Sequence, residues 1–270
     1  MGVIETATSP WGQTVPIHIS FFLIWVAAIG GLAFLIGHAI WALVFAGKDE
    51  YAPTSAPANV PEKIARHSLA ARLFHWIMAL AMFVLLFTAF LPKLGYEFAW
   101  VTWHWIAGLV LTASILYHII HASFWLDFWS IWPDKIDMED AKRRWLRATG
   151  KPAPAPRKFA KYPLENKIYH AVIVLAGLAV TITGVFMMKR VRTPFFTRNP
   201  YLFGDMTWGL MYVLHGLAGV GLIALIMAHV YFALRPEKLV ITKSMISGSL
   251  SREHYLEHHD PQRWIPESTK

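Results

Sequence analysis

Two histidines in one apolar stretch are the residues best placed to do chemistry. His215 and His229 lie within Leu214–Leu234, LHGLAGVGLIALIMAHVYFAL, 14 residues apart. At 3.6 residues per turn that is close to four whole turns, so both rings leave a helix on nearly the same face, roughly 21 Å apart along its axis. A hydrocarbon core is about 30 Å thick, so one ring falls near each surface. An ionisable ring inside such a segment leans toward function, as a metal ligand or a proton carrier. Gly216, Ala218, Gly219, Gly221, Ala224 and Ala228 lie between the two histidines. Small residues let a second helix or a flat cofactor approach closely.

The rest of the chain must bring partners to these rings. It has 270 residues, 56% of them hydrophobic, with 13 Trp, 17 Phe and a mean hydropathy of +0.41. That load is too apolar for a soluble domain of this length. Cysteine is absent, which excludes disulfides, iron–sulfur ligation by this chain and covalent haem attachment through Cys. The formal charge of +8 sits in loops beside apolar spans, so it points to a lipid bilayer and not to nucleic acid. Residues 1–17 hold no Lys or Arg, so no secretory signal is expected.

The pattern predicts an all-α integral membrane protein with five transmembrane helices. The first span covers about 19–46, with Gly30, Gly31 and Gly37 on a small-residue face. A Pro-rich linker with Pro53, Pro57 and Pro61 follows over about 48–71. The second span covers about 70–91 and stops at Pro92; the third covers about 100–124, with Trp100, Trp103, Trp105, Trp125, Trp129 and Trp132 as aromatic belts. A loop over 134–167 begins with a short surface helix capped by Asp137 and ends in the extended connector KPAPAPRK. The fourth span covers about 167–188 and the fifth about 207–234; a polar tail, expected on the membrane surface or a partner, completes the chain. The domain reading is an N-terminal helix in 1–50, a linker in 51–69, a four-helix core in 70–234 and a tail in 235–270. No short-period repeat is present.

Five spans put the two ends on opposite sides. The N-terminal side carries 5 Lys and Arg and the other side 20, so the N-terminus is expected outside and the C-terminus in the cytoplasm. This gives each histidine a depth. His229 and His75, in RLFHWIMAL, fall at the cytoplasmic level; His215 and His104, in TWHWIAGL, fall at the outer level. Two pairs of imidazoles at two depths are what two b-type haems require as axial ligands. His118 also lies 14 residues after His104, so spacing equally allows the pairs His104–His215 and His118–His229. His121 is expected at the interface, solvated or bonded to headgroups. His18 and His38 read as structural, and His254, His258 and His259 as solvated tail residues.

RLFHWIMAL, the helix start at His104, LHGLAGVGLIALIMAHVY and the tail TKSMISGSLSREHYLEHHDPQRW together carry a resemblance over about 65–265. The chain resembles the gamma, cytochrome b subunit of membrane-bound formate dehydrogenases. More broadly it is similar to the bacterial di-haem cytochrome b subunits of nickel–iron hydrogenases and thiosulfate reductases. The resemblance implies a four-helix haem-bearing core in the second to fifth spans, with the first span an addition. It implies His75 and His229 on the cytoplasmic-side haem b and His104 and His215 on the outer one, favouring His75 over His118.

It further implies an inner-membrane electron conduit. A periplasmic catalytic subunit, with formate its expected substrate, would pass electrons through an iron–sulfur subunit to the haems and on to menaquinone or ubiquinone at the cytoplasmic side. Those partners are expected over Arg190, Arg192 and Arg198. The family's quinone site adjoins the start of the fourth span, where KYPLENKIYH replaces the usual Asn-Ala-Gly-type run. Glu165, Asn166, Lys167, Tyr169 and His170 are the candidate quinone residues there, as donors and a proton route. Arg66, Arg72 and Arg235 are candidates to pair haem propionates, or simply obey the charge bias. The alternatives are a quinol-oxidising cytochrome b feeding a periplasmic reductase of the thiosulfate type, a hydrogenase cytochrome b, and a haem-free transporter or anchor.

Overall fold

The computed structural model describes residues 2–44, 51–54 and 59–265. Five helices are long and apolar enough to cross a membrane. They are α1 (Phe22–Val44), α2 (Leu69–Phe90), α3 (Trp100–Trp125), α5 (Leu164–Met187) and α6 (Asp205–Leu234). Between α3 and α5 lies the short polar helix α4 (Lys135–Ala148). Large apolar side chains point outward along the spans: Leu80 is 67% exposed and Leu175 72%. Such surfaces are stable only against lipid. This is an all-helical, multi-pass membrane architecture, with two small β-ribbons added to it. Part of the expected linker, residues 45–50 and 55–58 with Pro57, lies outside the described residues, as does the end of the first expected span.

By contacts the chain forms two units: residues 1–40, 74–118 and 173–231, and residues 41–73, 119–172 and 232–270. In the first, α6 is the common neighbour. Gly31 of α1 lies so close to it that an added Cβ would meet the Met227 sulfur at 3.2 Å, and His38 Nδ1 lies 3.1 Å from the Tyr231 hydroxyl. Before α1, β1 (Ile4–Thr8) and β2 (Thr14–Ile19) form an antiparallel hairpin. The first span was expected from residue 19, but Ile19 is paired with Ile4, and the Ser20 N–H donates to the Val3 carbonyl. Ladder pairing therefore delays the helix to Phe22. In the hairpin, His18 Nδ1 bonds the Ile19 carbonyl and its Nε2 lies 3.6 Å from Glu5.

The hairpin rests on α6 through a glycine. A Cβ at Gly209 would stand 1.9 Å from the Pro16 carbonyl oxygen, which backbone cannot yield to cheaply. Gly209→Ala is expected to lift the hairpin at a cost of about 1–3 kcal/mol, the usual range for overpacking. Limited proteolysis should then cut near Trp11, which is already 83% exposed, faster than in the parent protein.

The second unit has its own small core of Val60, Ile64, Leu250, Tyr255 and Trp264. β3 (Lys63–Ala65) pairs antiparallel with β4 (Ser249–Ser251), which follows α7 (Leu239–Ser247) and precedes α8 (Arg252–His258). The tail is therefore folded into its own chain. His259 is only 2% exposed; its Nδ1–H donates to the Ala160 carbonyl at 2.7 Å. His254 and His258 stack at 4.4 Å. The burial of His259 corrects the solvated reading of that residue, while His254 and His258 are half-buried.

Burial and the nearby Arg66 guanidinium push His259 down to about 3, against an ordinary value of 6.5. The folded state then binds fewer protons than the unfolded one between those values, so stability falls as pH drops through that window. The thermal midpoint of the detergent-solubilised protein should decline below pH 6.5, and His259→Gln should flatten that decline.

α4 is capped by Asp134, not by Asp137 as expected. The Asp134 carboxylate accepts from the Asp137 N–H, and the Asp137 carboxylate accepts from the Asp134 N–H, a reciprocal capping box. Asp137 is thereby turned inward. Lys167 Nζ donates to it at 2.6 Å, and Arg263 at 2.9 Å. Burial opposes its charge, but the bonds from Lys167, the Asp134 N–H and Arg263 prevail and hold its carboxyl below the usual range. α5 consequently starts at Leu164, earlier than expected: Lys167 is 2% exposed and ion-paired, so this polar turn is built into the fold.

Candidate cofactor site

The first unit brings the four histidines together in two pairs. His75 of α2 faces His229 of α6, with ring centres 6.3 Å apart and planes tilted by 53°. His104 of α3 faces His215 of α6, with centres 6.2 Å apart and planes at 65°. A metal–nitrogen bond is about 2.0–2.1 Å and an imidazole nitrogen lies about 1.1 Å from its ring centre, so two rings trans on one ion have centres about 6.2–6.4 Å apart. Both pairs fit that span. His118, the other sequence candidate for the His229 level, lies stacked on Phe74 at 4.5 Å. His121, expected to be solvated or bonded to headgroups, is 9% exposed and stacks on Trp125 one turn on, so the solvated alternative does not hold.

The His104–His215 pair has a second property. Thr88 of α2 bonds His104 Nδ1 at 2.8 Å, and Thr183 of α5 bonds His215 Nδ1 at 2.9 Å. Each hydroxyl gives its single proton to its own helix: Thr88 to the Val84 carbonyl at 2.7 Å, Thr183 to the Ala179 carbonyl at 2.5 Å. The threonine oxygens can then only accept, so each Nδ1 carries the proton and each Nε2 is a bare lone pair. Two bare lone pairs cannot hydrogen-bond one another. They ask for a Lewis acid between them.

Among the described residues, no three His, Asp or Glu converge on one ion. Two facing imidazoles per site are what this chain offers, and a haem held there would bring its other nitrogens itself. Space is provided too. An added Cβ at Gly219, one turn after His215 on nearly the same face, would meet nothing within 4 Å. Gly184 sits beside the His215 ring, where a Cβ would stand 3.3 Å from Cε1. The donor set and the geometry fit haem.

Sequence reasoning missed Thr88 and Thr183. The signal is a long internal repeat. Thr88 follows His75 by 13 residues and Thr183 follows His170 by 13. His104–His118 and His215–His229 share the pattern His-x-x-Ala-Gly-x-x-Leu-x-Ala-x-Ile-x-x-His. Its leucines, Leu111 and Leu222, are each 2% exposed. α2–α3 and α5–α6 are thus two versions of one helical hairpin.

The quinone candidates occupy the first two turns of α5 and do not converge. Glu165 pairs with Arg144 at 3.1 Å and Lys167 with Asp137, while Asn166 is exposed. Tyr169 and His170 are half-buried, His170 against Trp132 with ring centres 6.0 Å apart. The candidate propionate arginines belong to the second unit. Arg66 is 4% exposed between the rings of Tyr162 and Trp264. Arg72 donates to the Ile246 carbonyl, and Arg235 pairs with Glu237.

A bundle of apolar helices presenting paired imidazoles defines a membrane cytochrome b, a protein of electron transfer. The family comparison agrees: the chain belongs to the prokaryotic cytochrome b561 family, whose model matches residues 66–248 and whose members bind b-type haem. α1 precedes the matched region. No curated protein matches the chain.

Proposed function

We propose that this protein is the cytochrome b subunit of a respiratory complex, carrying two haems b. His104 and His215 hold one haem; His75 and His229 hold the other. The observation that carries this reading is the pair of ring separations, 6.2 and 6.3 Å. Haem supplies a one-electron couple at each site. The chain's part is to fix the imidazoles, to exclude water with apolar helices and to set the two levels along α6.

The charge bias favours the His104–His215 level outside and the His75–His229 level toward the cytoplasm. Electrons enter from an iron–sulfur subunit attached to a periplasmic catalytic subunit, formate being the substrate the resemblance favours, and leave to menaquinone or ubiquinone on the cytoplasmic side. The Lys189–Arg198 loop supports the docking reading. Arg190, Arg192 and Arg198 lie there on the sparsely charged side, with no carboxylate partner among the described residues. Because Glu165 and Lys167 are held in ion pairs, the quinone contacts fall to Asn166, Tyr169 and His170.

The test is a reduced-minus-oxidised spectrum with a haem assay on the purified protein. Two haems b per chain are expected; no b-type bands after dithionite would sink the reading in favour of a haem-free anchor. In membranes holding the whole complex, formate should reduce the bands. Reduction by quinol but not by formate would favour the reverse flow to a periplasmic reductase.

A further inference from the structure

We infer that Thr88 and Thr183 are positioning residues that set the reduction potential of the haem held by His104 and His215; this rests on the haem reading above. Each hydroxyl accepts from an imidazole Nδ1–H while donating to a backbone carbonyl one turn earlier in its own helix. Both threonines are buried, at 3% and 7% exposure, so water does not compete for these bonds. A hydrogen-bonded Nδ1–H makes Nε2 a stronger donor and fixes the ring's rotation. A stronger donor favours ferric over ferrous iron and lowers the potential.

The repeat sharpens this into a symmetry. Thr88 and Thr183 occupy equivalent places in the two hairpins, as do His104 and His215. The two imidazoles of this site are therefore held alike, through the same atom, by the same residue type, at 2.8 and 2.9 Å. His75, at the other level, is held differently. His75 has ring contacts with Trp76 and His229 and no hydrogen bond among the described residues. One site is tuned by two matched hydroxyls, and the second serves as an internal reference.

Spectroelectrochemical titration of purified Thr88→Val, Thr183→Val and the double variant tests this. Each single change should raise one of the two potentials by about tenfold in the ferric–ferrous equilibrium, which is about 59 mV for one electron. The two shifts should be equal and should add in the double variant, while the second haem stays unmoved. Thr88→Ser and Thr183→Ser should restore the parent value. Haem loss in a valine variant that its serine counterpart reverses also supports the role. Unchanged potentials with both haems retained would overturn it, as would a serine variant that behaves like valine. A parent protein without haem would instead overturn the reading beneath.

Discussion

If each histidine pair holds one haem, His229→Ala is expected to halve the haem content and to leave the His104–His215 level loaded; His215→Ala is expected to do the reverse. The reason is geometric. α6 gives one ring to each level, roughly 21 Å apart by helix rise, and each ring faces a different helix. Losing one imidazole would leave one protein ligand at that level, so a low-spin signal from it should disappear. The measurement is haem per chain by pyridine haemochrome, with EPR to identify the surviving signal. His75→Ala should match His229→Ala. His118→Ala should keep both haems, since its ring stacks on Phe74. If His75→Ala kept both and His118→Ala lost one, the ligand assignment would be wrong.

The second large effect concerns stability. Asp137→Asn is expected to cost about 3–5 kcal/mol, because it strands buried cations instead of removing a surface pair. Asp137 serves Lys167 and Arg263 together and closes the α4 capping box. After substitution, Lys167 has only Asp134 at 3.9 Å. Lys167→Met should be milder, since Asp137 retains Arg263 and the Asp134 N–H. The order of thermal midpoints at one scan rate checks this: parent, then Lys167→Met, then Asp137→Asn. Equal losses would mean that the pair, and not the stranded charge, controls stability. The depressed carboxyl of Asp137 adds an acid dependence: its contribution is present above the ordinary carboxylate range and is lost as pH falls through its lowered value.

The membrane helices were legible because a span needs only a long apolar run, and length and composition announce it. The four paired histidines were legible for a related reason: an ionisable residue in such a run stands out, and a 14-residue spacing fixes both face and depth. Features that depend on what a side chain meets were hidden. Lys167 reads as a polar residue at a helix start; only the fold shows that Asp137 buries it. Asp137 looked like the cap because it precedes acidic and basic residues in order, yet Asp134 holds the extended conformation that a cap needs. His259 reads as one of three tail histidines until its Nδ1–H is seen donating to the carbonyl of Ala160, 99 residues away. Thr88 and Thr183 were invisible singly, since threonine in an apolar helix usually bonds its own backbone and nothing else. They became visible as a matched pair.

That pair has a consequence for symmetry. When two copies of one hairpin associate about an axis along the membrane normal, a residue near the axis meets its own counterpart. His104 meets His215 in this way, each with its threonine. The arrangement is that of two matched helix pairs joined through the α4 loop. Of the two histidine pairs, His104–His215 joins equivalent positions of the repeat. His75 and His229 stand at non-equivalent positions, so the second pair breaks the match between the two halves.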